Sequence, residues 1–228
     1  VHVNTLARAL IKHTPGMDVR IVCVTDDPAG ITECETHPLW SDCSDLVNAT
    51  KDNLPSCYRR LKLYDRATQR AMGIKAGDRI LGLDLDVLVT GDLRGVLATP
   101  GLFVGWKLAG THHTEVYNGS FQMFTAGTLD DVWYDFDPIT SPRAALHAMY
   151  LGSDQAWLSW KLVNREGCTN IDYPVLASYP LHCQRLGRFS ASHRLVFFHG
   201  KRKPWDPLAI NESSWITRYW RPEHALSQ

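Results

Sequence analysis

Residues 79 to 93, RILGLDLDVLVTGDL, form a mostly apolar run of the kind that fills the middle of a buried sheet, yet Asp84 and Asp86 stand inside it. An unpaired carboxylate in apolar surroundings costs several kcal/mol, so such groups are paired, hydrogen-bonded or bound to metal. The stretch Ile80 to Leu83 is too continuous for a half-exposed sheet and fits a central parallel strand covered on both faces by helices. Side chains two apart in a strand share a face, so Asp84 and Asp86 can present their carboxylates together where the strand ends. Two such charges repel unless a cation sits between them. Carboxylate oxygens with positions left for water and phosphate suit Mn2+ or Mg2+. Ligands of open α/β sheets bind beyond the carboxyl ends of the strands, where this pair would lie. The structural alternative is that one aspartate caps a turn and the other meets a lysine.

The neighbouring segments read as alternating helices and strands. Val3, Leu6, Ala7 and Leu10 recur at helical spacing, and Pro15 and Gly16 end that helix. VRIVCVT, 19 to 25, is β-branched and runs into the turn DDPAG. From Ser56 to Met72 the apolar residues Leu61, Tyr64, Ala67 and Ala71 mark one amphipathic helix. LFVGW, 102 to 106, GSFQMFTAG, 119 to 127, and RLVFFHG, 194 to 200, read as strands. Further helices follow Thr128 as a cap, Pro142 at a first helical position, and Ser153 as a cap to a helix ending by Gly167. The expectation is an α/β chain forming one domain over residues 1 to 228, with no internal repeat or linker.

Composition narrows the function. Lys plus Arg and Asp plus Glu are 24 each, which gives no electrostatic ground for nonspecific attraction to nucleic acid or anionic membrane. No apolar run approaches the roughly 20 residues needed to cross a bilayer. Six cysteines without C-x-x-C spacing read as reduced thiols of a cytoplasmic protein. The three N-x-S/T matches, at Asn48, Asn118 and Asn211, are of the number chance supplies.

An apolar strand ending in D-x-D also resembles the haloacid-dehalogenase phosphatases, in which the first aspartate is the nucleophile. That pattern wants Thr or Val two residues past the second aspartate, where this chain has Leu88, and it stands near the start of the catalytic domain. Taken together, CYRRLKLYD, DLD, YNGSFQMF, GSDQAW and HGKRKPW resemble the nucleotide-sugar glycosyltransferases of the GT-A fold, especially glycosyltransferase family 8, the glycogenin and lipopolysaccharide galactosyltransferase group. The resemblance runs from VNTLARALIK to FFHGKRKPWD and implies a Rossmann-like, mostly parallel sheet flanked by helices. It implies transfer of a sugar, with retention, from a nucleotide-diphosphate sugar, a UDP-sugar, to an acceptor hydroxyl.

On that resemblance Asp84, Asp86 and His199 hold Mn2+ or Mg2+. His199 stands two residues beyond the family's place for this ligand, which Phe197 occupies here. Arg60, Lys62 and Asn118 bind the donor; Lys203, helped by the backbone at Gly200, receives the diphosphate, and Trp205 shapes the donor pocket. Asp154 holds sugar hydroxyls and Gln155 lies near the anomeric carbon. The family's first strand, which carries base contacts, would precede Val3. The aromatic tail, Trp215, Tyr219 and Trp220, reads either as core or as an acceptor platform. The alternatives to sugar transfer are the phosphatase and a nucleotide-sugar binding module without turnover.

Overall fold

The spacing of Val3, Leu6, Ala7 and Leu10 does produce a helix, α1 (His2–Lys12), in the computed structural model, which describes residues 1–47, 56–107, 117–185, 187 and 189–222. The N-x-S/T match at Asn48 lies outside them. There follow β1 (Val22–Thr25), β2 (Glu35–Pro38), a 3-10 segment (Tyr58–Tyr64), α2 (Arg66–Ala71), β3 (Arg79–Leu83) and β4 (Val87–Val89). Next are α3 (Arg94–Leu97), β5 (Phe103–Lys107), β6 (Tyr117–Thr125), α4 (Asp131–Tyr134), α5 (Ser141–His147) and α6 (Asp154–Leu162). The chain ends with β7 (Cys168–Asn170), β8 (Leu176–Ser178), a π-helical turn (Tyr179–Gln184), β9 (Leu195–Phe197), α7 (Pro207–Glu212) and α8 (Ile216–Tyr219). The α/β class expected from the sequence is present. No helix among the described residues is long and apolar enough to cross a membrane.

The chain divides into two compact units, Val1–Leu39 with Leu83–Thr99 and Asp172–Gln228, and Trp40–Gly82 with Pro100–Ile171. In the first, β1 pairs parallel with β2, and a second sheet runs in the order β4-β9-β8. There β9 is antiparallel to β4 and parallel to β8, and every residue of the three strands is buried. On this sheet pack Tyr179, Phe198, Ala209, Ile216 and Trp220, with Trp215 and Tyr219 half-buried beside them. The tail aromatics are therefore core. The buried residues of α1 are Asn4, Thr5 and Ala7, so the helix hides two polar side chains where periodicity pointed to leucines. Asn4 can be buried because its carboxamide replaces water for a loop: it donates to Gly30 O (2.8 Å) and accepts from the amides of Thr32 (3.0 Å) and Glu33 (3.3 Å).

The sheet of the second unit runs β3-β6-β5-β7, with β5 antiparallel to β6 and parallel to β7. Of these pairings three are parallel, β1–β2, β5–β7 and β8–β9, and two antiparallel, β4–β9 and β5–β6. The strand expected over Ile80 to Leu83 is present as β3 and stops at Leu83, just before the aspartates, but it lies at one end of its sheet and is half-buried throughout rather than central and covered on both faces; β4, beyond the aspartates, belongs to the sheet of the first unit. The doubly covered strand is β6, buried at seven of its nine positions. Its inner face meets Tyr58, Leu61, Tyr64, Trp157, Leu158 and Leu162.

The amphipathic helix expected over 56 to 72 breaks at Asp65. That side chain accepts from the amides of Ala67 (3.1 Å) and Thr68 (3.3 Å), capping α2, and so competes with helix continuation. Thr128 is not a cap; its hydroxyl donates to Thr125 O, and α4 begins after Asp130. Ser153 occupies the N-cap of α6 without a side-chain capping bond, and the helix ends at Leu162, short of Gly167.

Gly105 in β5 is the close approach on which the start of β6 rests. The Tyr117 ring lies against its α-carbon, and an added Cβ would stand 2.7 Å from Tyr117 Cε1 and 2.8 Å from Phe103 Cε1. Overpacking of this kind costs about 1 to 3 kcal/mol. Gly105→Ala is expected to lower the unfolding free energy by that amount, read as a lower urea midpoint with an unchanged denaturant slope; an unchanged midpoint would mean that the Tyr117 ring is free to move aside.

Candidate functional site

Backbone pairing gathers one polar cluster in the first unit. Because Val87 opposes Phe197 across the β4–β9 ladder, the next pair outward is Asp86 and Phe198, and the Phe198 amide donates to Asp86 O (2.9 Å). That places the Asp86 side chain and His199 at one end of the same sheet. Asp84 and Asp86 are half-buried while Leu85 between them is exposed. A half-buried carboxylate needs a partner. Asp86 has the ammonium of Lys203, and Nζ to Oδ2 is a close ion pair with only 15% of the aspartate side chain exposed.

His199 Nε2 lies 2.7 Å from Ser178 Oγ, and that oxygen also accepts from the Leu181 amide (3.2 Å). Burial lowers the His199 pKa from its usual value, the Asp86 carboxylate opposes this, and Lys203 adds to it. Among the described residues no group of three His, Cys, Asp or Glu side chains is gathered to hold a metal, so the triad of Asp84, Asp86 and His199 expected from the sequence is not assembled. The two aspartates do fit a hard divalent cation in donor chemistry, since Mg2+ commonly takes one or two carboxylates and completes its shell with water and phosphate. Gly200 follows with φ +98°, a backbone conformation that favours glycine, and it is exposed. Trp205 stacks on His2 at 4.0 Å between centroids.

A second cluster belongs to the second unit and centres on Asp154, the first residue of α6, which is 2% exposed. Its Oδ2 accepts from Gln122 Nε2 (3.1 Å) and lies 3.5 Å from Arg60 Nη1, while Oδ1 accepts from the Ser153 hydroxyl (3.2 Å). Arg60 also donates to Gly119 O, and that carbonyl accepts from Gln122 Nε2 (3.2 Å). The Gly119 amide points the other way, to Gln155 Oε1 (3.4 Å). The Tyr64 hydroxyl donates to Gln122 Oε1 (3.1 Å), behind the group. A Cβ at Gly119 would be tight, 3.3 Å from Arg60 Nη1 and 3.4 Å from both Asp154 oxygens.

The two clusters hold most of the residues singled out from the sequence. Arg60, Asp154 and Gln155 come together, and Asn118 stands beside them with its Oδ1 accepting from the Ser120 amide (2.9 Å). Lys62 is directed elsewhere: it pairs with Asp42 (3.0 Å) and Asp65 (3.5 Å) and lies over the Trp133 ring at 4.4 Å. Sequence reasoning missed Gln122, Tyr64 and Ser178. The available signal for Gln122 was a single amide in the apolar strand SFQMF, where burial on both faces obliges it to find partners.

The fold is similar to that of solved glycosyltransferase structures. The galactosyltransferase LgtC matches with a TM-score of 0.58 and 14% identity over 98% of this chain and 94% of LgtC, in a structure with donor and acceptor sugar analogs. An active-site glutamine-to-glutamate mutant of LgtC matches with a TM-score of 0.59 and the same identity and coverage. The bifunctional glycosyltransferase WbbM matches with a TM-score of 0.54 and 13% identity over 96% of this chain and 48% of WbbM. These likenesses show that the chain has the glycosyltransferase fold. No family model matches it, and no curated protein matches it by sequence.

The second cluster separates an anchor from a free hand. Asp154→Ala leaves a partly buried guanidinium without its carboxylate and is expected to cost about 3 kcal/mol. Gln155→Ala removes a long hydrogen bond to the Gly119 amide and one to Leu151 O (3.2 Å), and is expected to cost under about 1 kcal/mol. Urea unfolding of both variants measures the difference; equal costs would place Gln155 in the architecture.

Proposed function

We propose that the protein is a metal-dependent glycosyltransferase that moves a sugar from a UDP-sugar to an acceptor hydroxyl with retention of configuration. The observation that carries this reading is the likeness of fold along 98% of the chain to LgtC, whose complex contains donor and acceptor sugar analogs. The phosphatase alternative draws no support from these likenesses.

In the first unit Asp84 and Asp86 would hold Mn2+ or Mg2+, which when bound stabilises the negative charge that gathers on the departing diphosphate. Lys203 contributes a second positive charge there, and the backbone at Gly200 brings an amide close to the phosphate oxygens. His199, oriented by Ser178, stands beside Asp86. In the second unit Arg60 and Asn118 hold sugar hydroxyls. Asp154 is buried and acts by fixing Arg60. Gln155 lies near the anomeric carbon; an uncharged amide is a poor nucleophile, so the acceptor hydroxyl attacks from the face the nucleotide leaves. Binding without turnover is a second reading, suggested by His199 standing two residues beyond the family's ligand place, which Phe197 occupies.

The test is thermal stability with UDP and a panel of UDP-sugars, with and without Mn2+, for the wild type and the Asp84→Ala/Asp86→Ala double variant. A ligand at a hundredfold excess over its Kd stabilises by about 2.7 kcal/mol. The expected outcome is a metal-dependent shift with UDP or one UDP-sugar that the double variant loses. Absence of any nucleotide shift in the wild type would overturn the reading. A shift without sugar release to any acceptor or to water would favour the binding module.

A further inference from the structure

Gln122 is 1% exposed and yet carries two donors and an acceptor in a strand buried on both faces. Its orientation is dictated from both ends. Asp154 Oδ2 and Gly119 O can only accept, so the NH2 group must face them. At the other end stands the Tyr64 hydroxyl, 1% exposed and donating to Oε1. Burial, with the Asp154 charge adding, raises the Tyr64 pKa well above its usual value, so the hydroxyl keeps its proton. The Tyr64 ring is itself fixed by stacking on Phe124 at 4.2 Å.

What Gln122 holds is the common support of three groups that reach the donor in the reading above. Through Asp154 Oδ2 it sets the carboxylate against Arg60. Through Gly119 O it fixes the peptide that accepts from Arg60 on one side and donates to Gln155 on the other, one residue past Asn118. We propose that Gln122, oriented by Tyr64, is a positioning residue that sets recognition of the transferred sugar without touching it. The inference rests on the proposed function. It assigns the sugar-selective part of binding to a buried relay, Tyr64 to Gln122 to Asp154 and Gly119, and leaves the nucleotide part unaffected.

The experiment is calorimetric titration, in Mn2+, of UDP, UDP-glucose, UDP-galactose and UDP-N-acetylglucosamine into the wild type, Gln122→Met and Tyr64→Phe. Methionine keeps the length of the side chain and removes its hydrogen bonds; phenylalanine keeps the stacked ring and removes only the orienting hydroxyl. The expected result is a loss of about tenfold in affinity for the UDP-sugar the wild type binds in Gln122→Met, corresponding to one lost hydrogen bond's worth of selectivity, a smaller loss in Tyr64→Phe, and a UDP affinity within about twofold of wild type in both. Unchanged UDP-sugar affinity in both variants overturns the inference, and so does an equal loss for UDP and UDP-sugar, which would mark a purely structural role. Binding of UDP but of no UDP-sugar by the wild type overturns the inference and leaves nucleotide recognition standing. Binding of nothing by the wild type overturns the proposed function and this inference with it.

Discussion

A carboxylate that is 2% exposed must be compensated on the spot, and much of the second unit is arranged so that Asp154 is. Removing a carboxylate from water costs several kcal/mol, which its hydrogen bonds and one opposite charge must return. The compensating groups come from residues far apart in the chain, Arg60 from the 3-10 segment, Gln122 from β6 and Ser153 from the start of α6. Each is held by its own packing. Asp65 stops the 3-10 segment and caps α2, Tyr117 rests on Gly105 to start β6, and the Ser159 hydroxyl of α6 accepts from the Tyr117 amide (2.8 Å), tying helix to strand. A group of polar residues that satisfy one another is rigid because any one that moves leaves another unpaired. On the proposed reading, rigidity of that kind is what sugar hydroxyls, alike in chemistry and different only in direction, require of a site.

The sheet of the first unit reaches a similar end by another route. Its cluster is positioned by backbone pairing and not by a buried charge. The ladder between β4 and β9 continues one step to Asp86 and Phe198, and β8 runs parallel to β9 so that Ser178, paired with Phe197, meets His199. Asp86, His199 and Lys203 are half-buried here. Lys203, with 35% of its side chain exposed, pairs with Asp86, whereas Arg60, 26% exposed, is tied to Gly119 O and Asp154 together.

The sequence announced the D-x-D pair because charge inside an apolar run is costly and therefore informative, and Asp86 does prove to be a paired, largely buried carboxylate. It also yielded Arg60, Asn118, Asp154 and Gln155 through resemblance, and these do gather. Periodicity could not see the break at Asp65, since Leu61, Tyr64, Ala67 and Ala71 keep helical spacing straight through it; the competing cap was local chemistry, an aspartate before Ala67 and Thr68. Nor could it tell that the strand over Ile80 to Leu83 lies at one end of its sheet, because apolar content says that a residue is buried and not against what. Asn4 and Gln122 were illegible for a related reason. Whether a buried amide is tolerable depends on partners such as Gly30, Glu33, Tyr64 and Asp154, which lie 26 residues or more away and are fixed only by the fold.

Net charge is zero, so attraction of an anionic ligand must come from local cations, and the three cations singled out from the sequence already have acidic partners. Lys62 has two, Asp42 and Asp65, and a ring beneath it; Arg60 has Asp154; Lys203 has Asp86. A phosphate that takes Lys203 from Asp86 exchanges one ion pair for another and strands a carboxylate, which leaves little net gain. A divalent cation that takes Asp86 from Lys203 meets the same difficulty in reverse, since it must displace an ammonium already in place. On the proposed reading the two exchanges relieve each other: the cation accepts the carboxylate that the phosphate releases, and the phosphate accepts the ammonium that the cation releases. Each ligand then raises the affinity for the other by the same factor. The Asp86–Lys203 pair thus offers a physical reason why metal and nucleotide diphosphate would bind this chain together more readily than either binds alone.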